Sequence, residues 1–333
     1  MKKWMALLLL LCTLTAAVPA GMEAEEAEPV ADQVTESVLL EDIDPLPIDF
    51  SAGHVAPESN YSGDVYEDES LSVRMERVTT DKAVFNVAHV RIADPSQFRT
   101  AVTAWGRTNK VSAIAEKMNA VVAIGGEYFA SDEGGFIVRM GEAQPRKNSK
   151  KKTRNSPYET RDLLCIDEEG NFHIIIRYRD AKKDGKSKTI NPDYDAQLAA
   201  LKEAHTLVNV FDFGPALVMD GICMEMPDSY SFNLEGKEPR CAIGQIGPLE
   251  YVLVVVDTLE HHDRSGKSGA TGAMLARFMY DLGCQQAYNL DGGNSCLMVF
   301  HGENYSDKTV SEERSVSDII YFATAVDAGL DGE

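Results

Sequence analysis

The segment EYVLVVVD, Glu250–Asp257, constrains the fold more than any other stretch of this chain. Six apolar residues follow one another without a polar face, so a strand here must be covered by protein on both sides. It belongs at the centre of a sheet between two layers. Other segments supply those layers. In KVSAIAEKMN, Val111, Ile114, Ala115 and Met118 recur at helical spacing, and AVVAIGGEYF then reads as a strand ending in glycines. DLLCIDEEGNFHIIIRY is a hairpin around Asp167 to Asn171, and ALVMDGICM is a second one turning at Asp220-Gly221. DAQLAALKEAHTLV is helical, and MLARFMYDLG puts Met274, Leu275, Phe278, Met279 and Leu282 on one helical face with Gly283 as its stop. Hairpins mixed with helix–strand units predict a single α+β domain, a mixed β-sheet flanked by helices.

The ends of the chain carry different information. Residues 1–24 show two lysines, a short apolar run and small residues, the pattern of a cleaved secretory signal peptide. The run is too short to span a bilayer comfortably, so no stable transmembrane span is expected after cleavage. From Gly21 to Ser70 there are 15 acidic residues and no Lys or Arg. Residues 25–70 are therefore expected to be an acidic disordered linker, 71–327 the folded domain and 328–333 a tail. Most of the net charge of −21 lies in that linker, so the acidity says little about the domain's partners. Nothing points to nucleic acid. Cleavage would remove Cys12, and the remaining Cys165, Cys223, Cys241, Cys284 and Cys296 form an odd set without C-x-x-C spacing, read as buried thiols rather than a zinc site or a disulfide framework.

YNLDGGNSCLMVF, Tyr288–Phe300, places a polar turn between two apolar arms. A plain hairpin needs only Asn-Gly or Asp-Gly at its tip, so the extra polar groups call for a self-capping turn or a site. Glu127, Asp257 and Asp291 all stand at strand ends. A carboxylate there can be partly desolvated and still meet a ligand, which suits acid–base or nucleophilic work. Gly292 and Gly293 let backbone N–H groups approach a ligand, and Asn294 tolerates positive φ.

Taken in order, AIGGEYFASDEGGFIVRMGE, FDFGPALVMDG, PRCAIGQIGPLEYVLVVVD, LGCQQAYNLDGGNSCLM and SEERSVSDIIYF resemble the phosphodiester glycosidase family over residues 75–325. The resemblance implies catalytic roles for Asp291, Glu127, Arg240 and Asp257. It implies substrate contacts from Tyr128, Gly214, Asn289, Gly292, Gly293, Asn294, Ser295 and Arg314. The chain departs from the family pattern in several places: Gly125 replaces its Asn, Glu127 is a longer acid than the family's residue, Thr258-Leu259 replaces its Gly-Arg, and Cys296 its Ser or Thr. The implied function is an exported glycosidase that hydrolyses a sugar-1-phosphodiester or related envelope glycan. The alternative is a non-catalytic glycan-binding or exopolysaccharide-assembly module on the same fold.

A sugar joined through its anomeric carbon to a phosphodiester has a good leaving group, so protonating it matters less than in ordinary glycosides. A cation on the departing phosphate matters more, and Arg240 has the planar fork for it. Asp291 or Glu127 suits the activation of water or attack on the sugar, with Ser295 orienting Asp291. No cofactor or metal is expected, since the adjacent His261 and His262 would point to opposite faces of a strand. Arg146–Arg154, with six basic residues in nine, is a solvated loop or a surface that steers an anionic envelope polymer.

Overall fold

The computed structural model describes residues 52–103, 107–127, 136–144, 161–181, 188–228, 230–259, 268–307 and 312–327, with the backbone alone for 178–181 and 188–190. The expected signal peptide, the Arg146–Arg154 run, Tyr128 and the His261–His262 pair lie outside the described residues.

Glu250–Asp257 pairs with Val84–Ile92 on one side and Arg240–Gly247 on the other, inside a nine-stranded sheet. Beyond Val84–Ile92 come Leu71–Thr79, Val65–Glu67 and Tyr61–Ser62; beyond Arg240–Gly247 come Gln286–Leu290, Ala216–Met219 and Ile222–Cys223. Alternate side chains of the central strand enter different cores, as the two-residue period requires. Tyr251, Leu253 and Val255 join the main core, while Val252, Val254 and Val256 meet the helix α3, Gly272–Asp281. The Thr271 hydroxyl caps α3 by accepting from the Met274 N–H at 3.1 Å. Gly244 lets this helix come close: a Cβ there would lie 2.5 Å from Cys284 Sγ and 2.9 Å from Met279 Cε. Leu275 is wholly buried against this face, and its truncation to Ala costs about 2–5 kcal/mol by the usual core measure.

Two five-stranded sheets share the main core. One runs in the order Glu303–Asn304, Met298–Phe300, Val122–Gly125, Asp318–Phe322, Arg99–Val102. It is covered by α1, Val111–Lys117, through Val111, Ile114 and Ala115. The other runs Phe172–Ile175, Leu163–Asp167, Leu207–Asp212, Val138–Arg139, Glu142–Ala143, and α2, Tyr194–Ala204, packs on it through Tyr194, Leu198 and Leu201.

Every strand pairing among the described residues is antiparallel, which corrects the expected mixed sheet. The fold is mostly β, with three α-helices among the described residues. The reason lies in the crossovers. α3 links Glu250–Asp257 to Gln286–Leu290, but Arg240–Gly247 stands between them and runs opposite to both. α1 links Arg99–Val102 to Val122–Gly125 in the same way, around Asp318–Phe322. Helix–strand alternation therefore never brings two parallel strands side by side.

The chain joins the core upstream of the expected boundary at Leu71. Val65–Glu67 pairs with the following strand, and Tyr66 is fully buried. Asp68 accepts from the Ser70 and Leu71 N–H groups at 2.7 and 2.8 Å and from the Tyr66 hydroxyl at 2.5 Å. Asp64 and Glu67 face solvent while Tyr66 turns inward, so acidic composition conceals a strand that buries a single aromatic residue. Among the described residues no helix is long and apolar enough to cross a membrane. The five cysteines among the described residues are free thiols; Cys223 is half-buried and the other four are buried.

Candidate active site

The polar turn of Tyr288–Phe300 is no hairpin. Gln286–Leu290 belongs to the nine-stranded sheet and Met298–Phe300 to a five-stranded one, so the turn carries the chain between sheets. The Asp291 N–H donates to the Gly126 carbonyl at 3.1 Å, joining the turn to the end of Val122–Gly125, which leads into Glu127. The two strand-end carboxylates singled out from sequence thus come off adjoining backbone. Gly293, at φ 60°, takes the left-handed conformation expected of Asn294. Its N–H donates to the Pro239 carbonyl at 2.9 Å, which anchors the turn and commits that group to protein rather than ligand.

Asp291 is half-buried and Asn294 is exposed. Burial pushes the Asp291 carboxyl above its ordinary range, while the Ser295 hydroxyl and the charge of Arg314 pull it back. Ser295 is buried beside this carboxylate, though its hydroxyl falls outside strict hydrogen-bond geometry. Arg314 is exposed. A reachable carboxylate within the field of an exposed guanidinium can meet an anionic substrate at its reacting carbon.

Glu127 has very different surroundings. It is only 3% exposed and sits in a buried cluster with Arg139, Asp318 and Asp212. Arg139 Nε donates to Asp318 Oδ2 at 2.7 Å, and its Nη2 lies 3.5 Å from Glu127 Oε1. The Asp212 N–H donates to Glu127 Oε2 at 2.7 Å. The Arg139 guanidinium also stacks over the Phe211 ring, 3.8 Å from its centroid. The glycine before Glu127 is required by close approach: a Cβ on Gly126 would lie 2.5–2.6 Å from the Asp318 carboxylate, which accepts the Glu127 N–H at 2.9 Å. Burial raises the Glu127 carboxyl to about 8 despite the Arg139 charge, and burial raises Asp318 as well. One arginine cannot offset two desolvated carboxylates, so the pair retains a proton at neutral pH.

Arg240 is buried, and its donors go to backbone carbonyls: Nε to Ala270 at 3.0 Å, Nη2 to Asn233 at 3.0 Å and to Gly236 at 2.9 Å. Glu238 lies 4.0 Å from it. Asp257 is buried and accepts from Asn86 Nδ2 at 2.6 Å and the Asp307 N–H at 2.9 Å. Burial pushes its carboxyl up to about 7. Arg240, Asp257 and Asp291 lie around Cys296, whose thiol is raised mainly by burial and feels all three charges. Asn289 Nδ2 donates to the Gly214 carbonyl at 2.8 Å, so these two buried residues brace each other behind the turn.

Arg139, Asp212 and Asp318 were missed by the sequence reading. Each is a lone charge beside an apolar stretch, in GGFIVRM, NVFDFG and VSDIIYF. A charge in a buried strand needs a partner, which is the signal that could have found them.

A carboxylate turn thus lies beside a buried carboxylate–arginine cluster where three sheets meet, an arrangement that can support polar, acid–base chemistry. Residues 118–323 match the phosphodiester glycosidase family, and the chain belongs to it. The fold is similar to that of the catalytic domain of zebrafish N-acetylglucosamine-1-phosphodiester alpha-N-acetylglucosaminidase auto-inhibited by pro-peptide. That match has a TM-score of 0.53 and 17% identity over 82% of this chain and 87% of that one. A hypothetical protein from Synechocystis matches with a TM-score of 0.47 and 17% identity, over 78% of this chain and 64% of that one. No curated protein sequence matches the chain significantly.

Proposed function

We propose that the protein is an exported hydrolase that cleaves a sugar-1-phosphodiester or a related envelope glycan and releases the sugar. Family membership supports the reaction class. The observation that carries the assignment of parts is the half-buried Asp291 held on a rigid turn within the field of exposed Arg314. In this reading the bond from the anomeric carbon to the phosphate oxygen breaks, and the phosphate leaves with the electron pair. Arg314 faces that phosphate, a task the sequence reading gave to Arg240, whose fork instead holds the Asn233–Gly236 loop. Asp291 attacks the sugar or takes a proton from the incoming water. Glu127 with Arg139 and Asp318 forms a proton-holding base under the turn, and Asn294 and Ser295 border the sugar. Asp257, protonated near neutrality, keeps the strand end behind the site in place.

The test is incubation of the purified protein with UDP-N-acetylglucosamine and simple sugar-1-phosphodiesters, scored for free sugar. Release that disappears in Asp291→Asn supports the hydrolase. No turnover on any of these, together with specific retention of glycan, would instead support a binding module.

A further inference from the structure

Asp167, His173 and His205 bring a carboxylate oxygen and two imidazole nitrogens within 4.8 Å of one another. The set comes from three elements: the end of Leu163–Asp167, the paired strand Phe172–Ile175, and the residue that closes α2. We propose that this cluster is a binding site for a divalent transition metal, zinc being the best fit, that clasps the hairpin to α2.

The donor chemistry is that of a zinc or similar borderline ion, two imidazoles and one carboxylate. Asp167 Oδ2 lies 2.8 Å from His173 Nε2 and 3.5 Å from His205 Nδ1. Tetrahedral ligands around zinc stand about 3.3 Å apart, so the two carboxylate–imidazole distances need to change by about half an ångström, and the imidazole nitrogens, within 4.8 Å of each other, need to draw together by at most about 1.5 Å. Asp167 is preset for this. Its Oδ1 accepts the Glu169 and Asn171 N–H groups at 2.9 and 2.8 Å, which turns Oδ2 toward the two rings. Such hydrogen bonds on the far side of a ligand fix its orientation. Glu168 Oε2, 3.7 Å from His205 Nδ1, offers an oxygen as a fourth ligand. Both histidines are 31% exposed at the side chain while Asp167 is buried, so an ion can enter from solvent. The sequence reading expected no metal because the chain shows no ligand cluster with convincing spacing; Asp167, His173 and His205 come together only in the fold.

The site is separate from the proposed chemistry. Asp167 pairs with Leu207, whereas Leu163, at the other end of its strand, pairs with Asp212 of the Glu127 cluster. Four residues of strand place about 13 Å between them. The ion's role is structural, tying the second five-stranded sheet to its covering helix.

The experiment is a zinc titration of the chelator-treated full-length protein by calorimetry, with cobalt(II) absorption as a second readout. We expect one zinc per chain at this site, a cobalt spectrum without thiolate charge transfer, and a Tm rise of several degrees at 100-fold excess over Kd, where the folded-to-unfolded ratio gains about 100-fold. His173→Gln with His205→Gln should abolish all three while still melting cooperatively in chelator. A His261→Ala, His262→Ala control should keep them. Absence of saturable zinc binding, or equal binding by the His173/His205 variant, overturns the proposal. None of these readouts depends on sugar release.

Discussion

Asp291 stands one residue and Glu127 two residues past a buried strand, each beside glycines, yet the fold gives them opposite surroundings. Asp291 rides on a turn between two sheets, half-exposed, with its main-chain N–H tied down and its carboxylate open to an exposed guanidinium. Glu127 is sealed in, facing Arg139 and an N–H from Asp212. The comparison separates two uses of a strand-end carboxylate. In the proposed reading one presents charge to a ligand, and the other builds the platform beneath it.

The largest effect should come from breaking that platform. Arg139→Met leaves Glu127 and Asp318 buried together without their cation, and should cost about 3–5 kcal/mol in denaturant melts. Adding Glu127→Gln and Asp318→Asn should recover much of the loss. A single variant with wild-type stability would remove the cluster from any structural role. Next in size is Arg240→Lys. It loses the fork that reaches three carbonyls and should lower stability by about 2 kcal/mol. Arg314→Lys should instead leave the melt unchanged and weaken phosphodiester turnover. Reversed behaviour of the two would return the phosphate role to Arg240.

A smaller effect is expected in the pH dependence of stability. Glu127 near 8 and Asp257 near 7 lie above their ordinary values of 4.5 and 3.8. The folded state holds protons that the unfolded chain releases. Their contribution is therefore full below about pH 4 and is lost as pH rises through 7 to 8, with a slope of at most about 1.4 kcal/mol per pH unit for each proton. Glu127→Gln should flatten the upper part of this decline in melts from pH 5 to 9. An unchanged profile would show that Glu127 is ionised throughout.

Much of this contrast was legible in the sequence, and the missing part has a physical reason. Central Glu250–Asp257, both hairpins and all three helices follow from periodicity and turn residues, which are local signals. The Asp291 turn stood out because its polar residues exceed what a hairpin needs. What could not be read locally was pairing between distant segments. Arg139, Asp212 and Asp318 meet Glu127 only because three strands converge, and Tyr66 is buried inside an acidic stretch only because Leu71–Thr79 lies beside it. The all-antiparallel arrangement was hidden in the same way, since Arg240–Gly247 and Asp318–Phe322 slip between strands that the helices connect.

The central claim is that Asp291 does the chemistry while the buried cluster supports it. It is tested most directly by measuring sugar release and thermal melting on the same preparation of Asp291→Asn. The account predicts a rate on sugar-1-phosphodiesters lower by about 1,000-fold or more, a loss of roughly 4 kcal/mol in transition-state stabilisation, with Tm within a few degrees of the parent protein. A near-normal rate, or a rate that falls only in step with a collapsed melt, would contradict it.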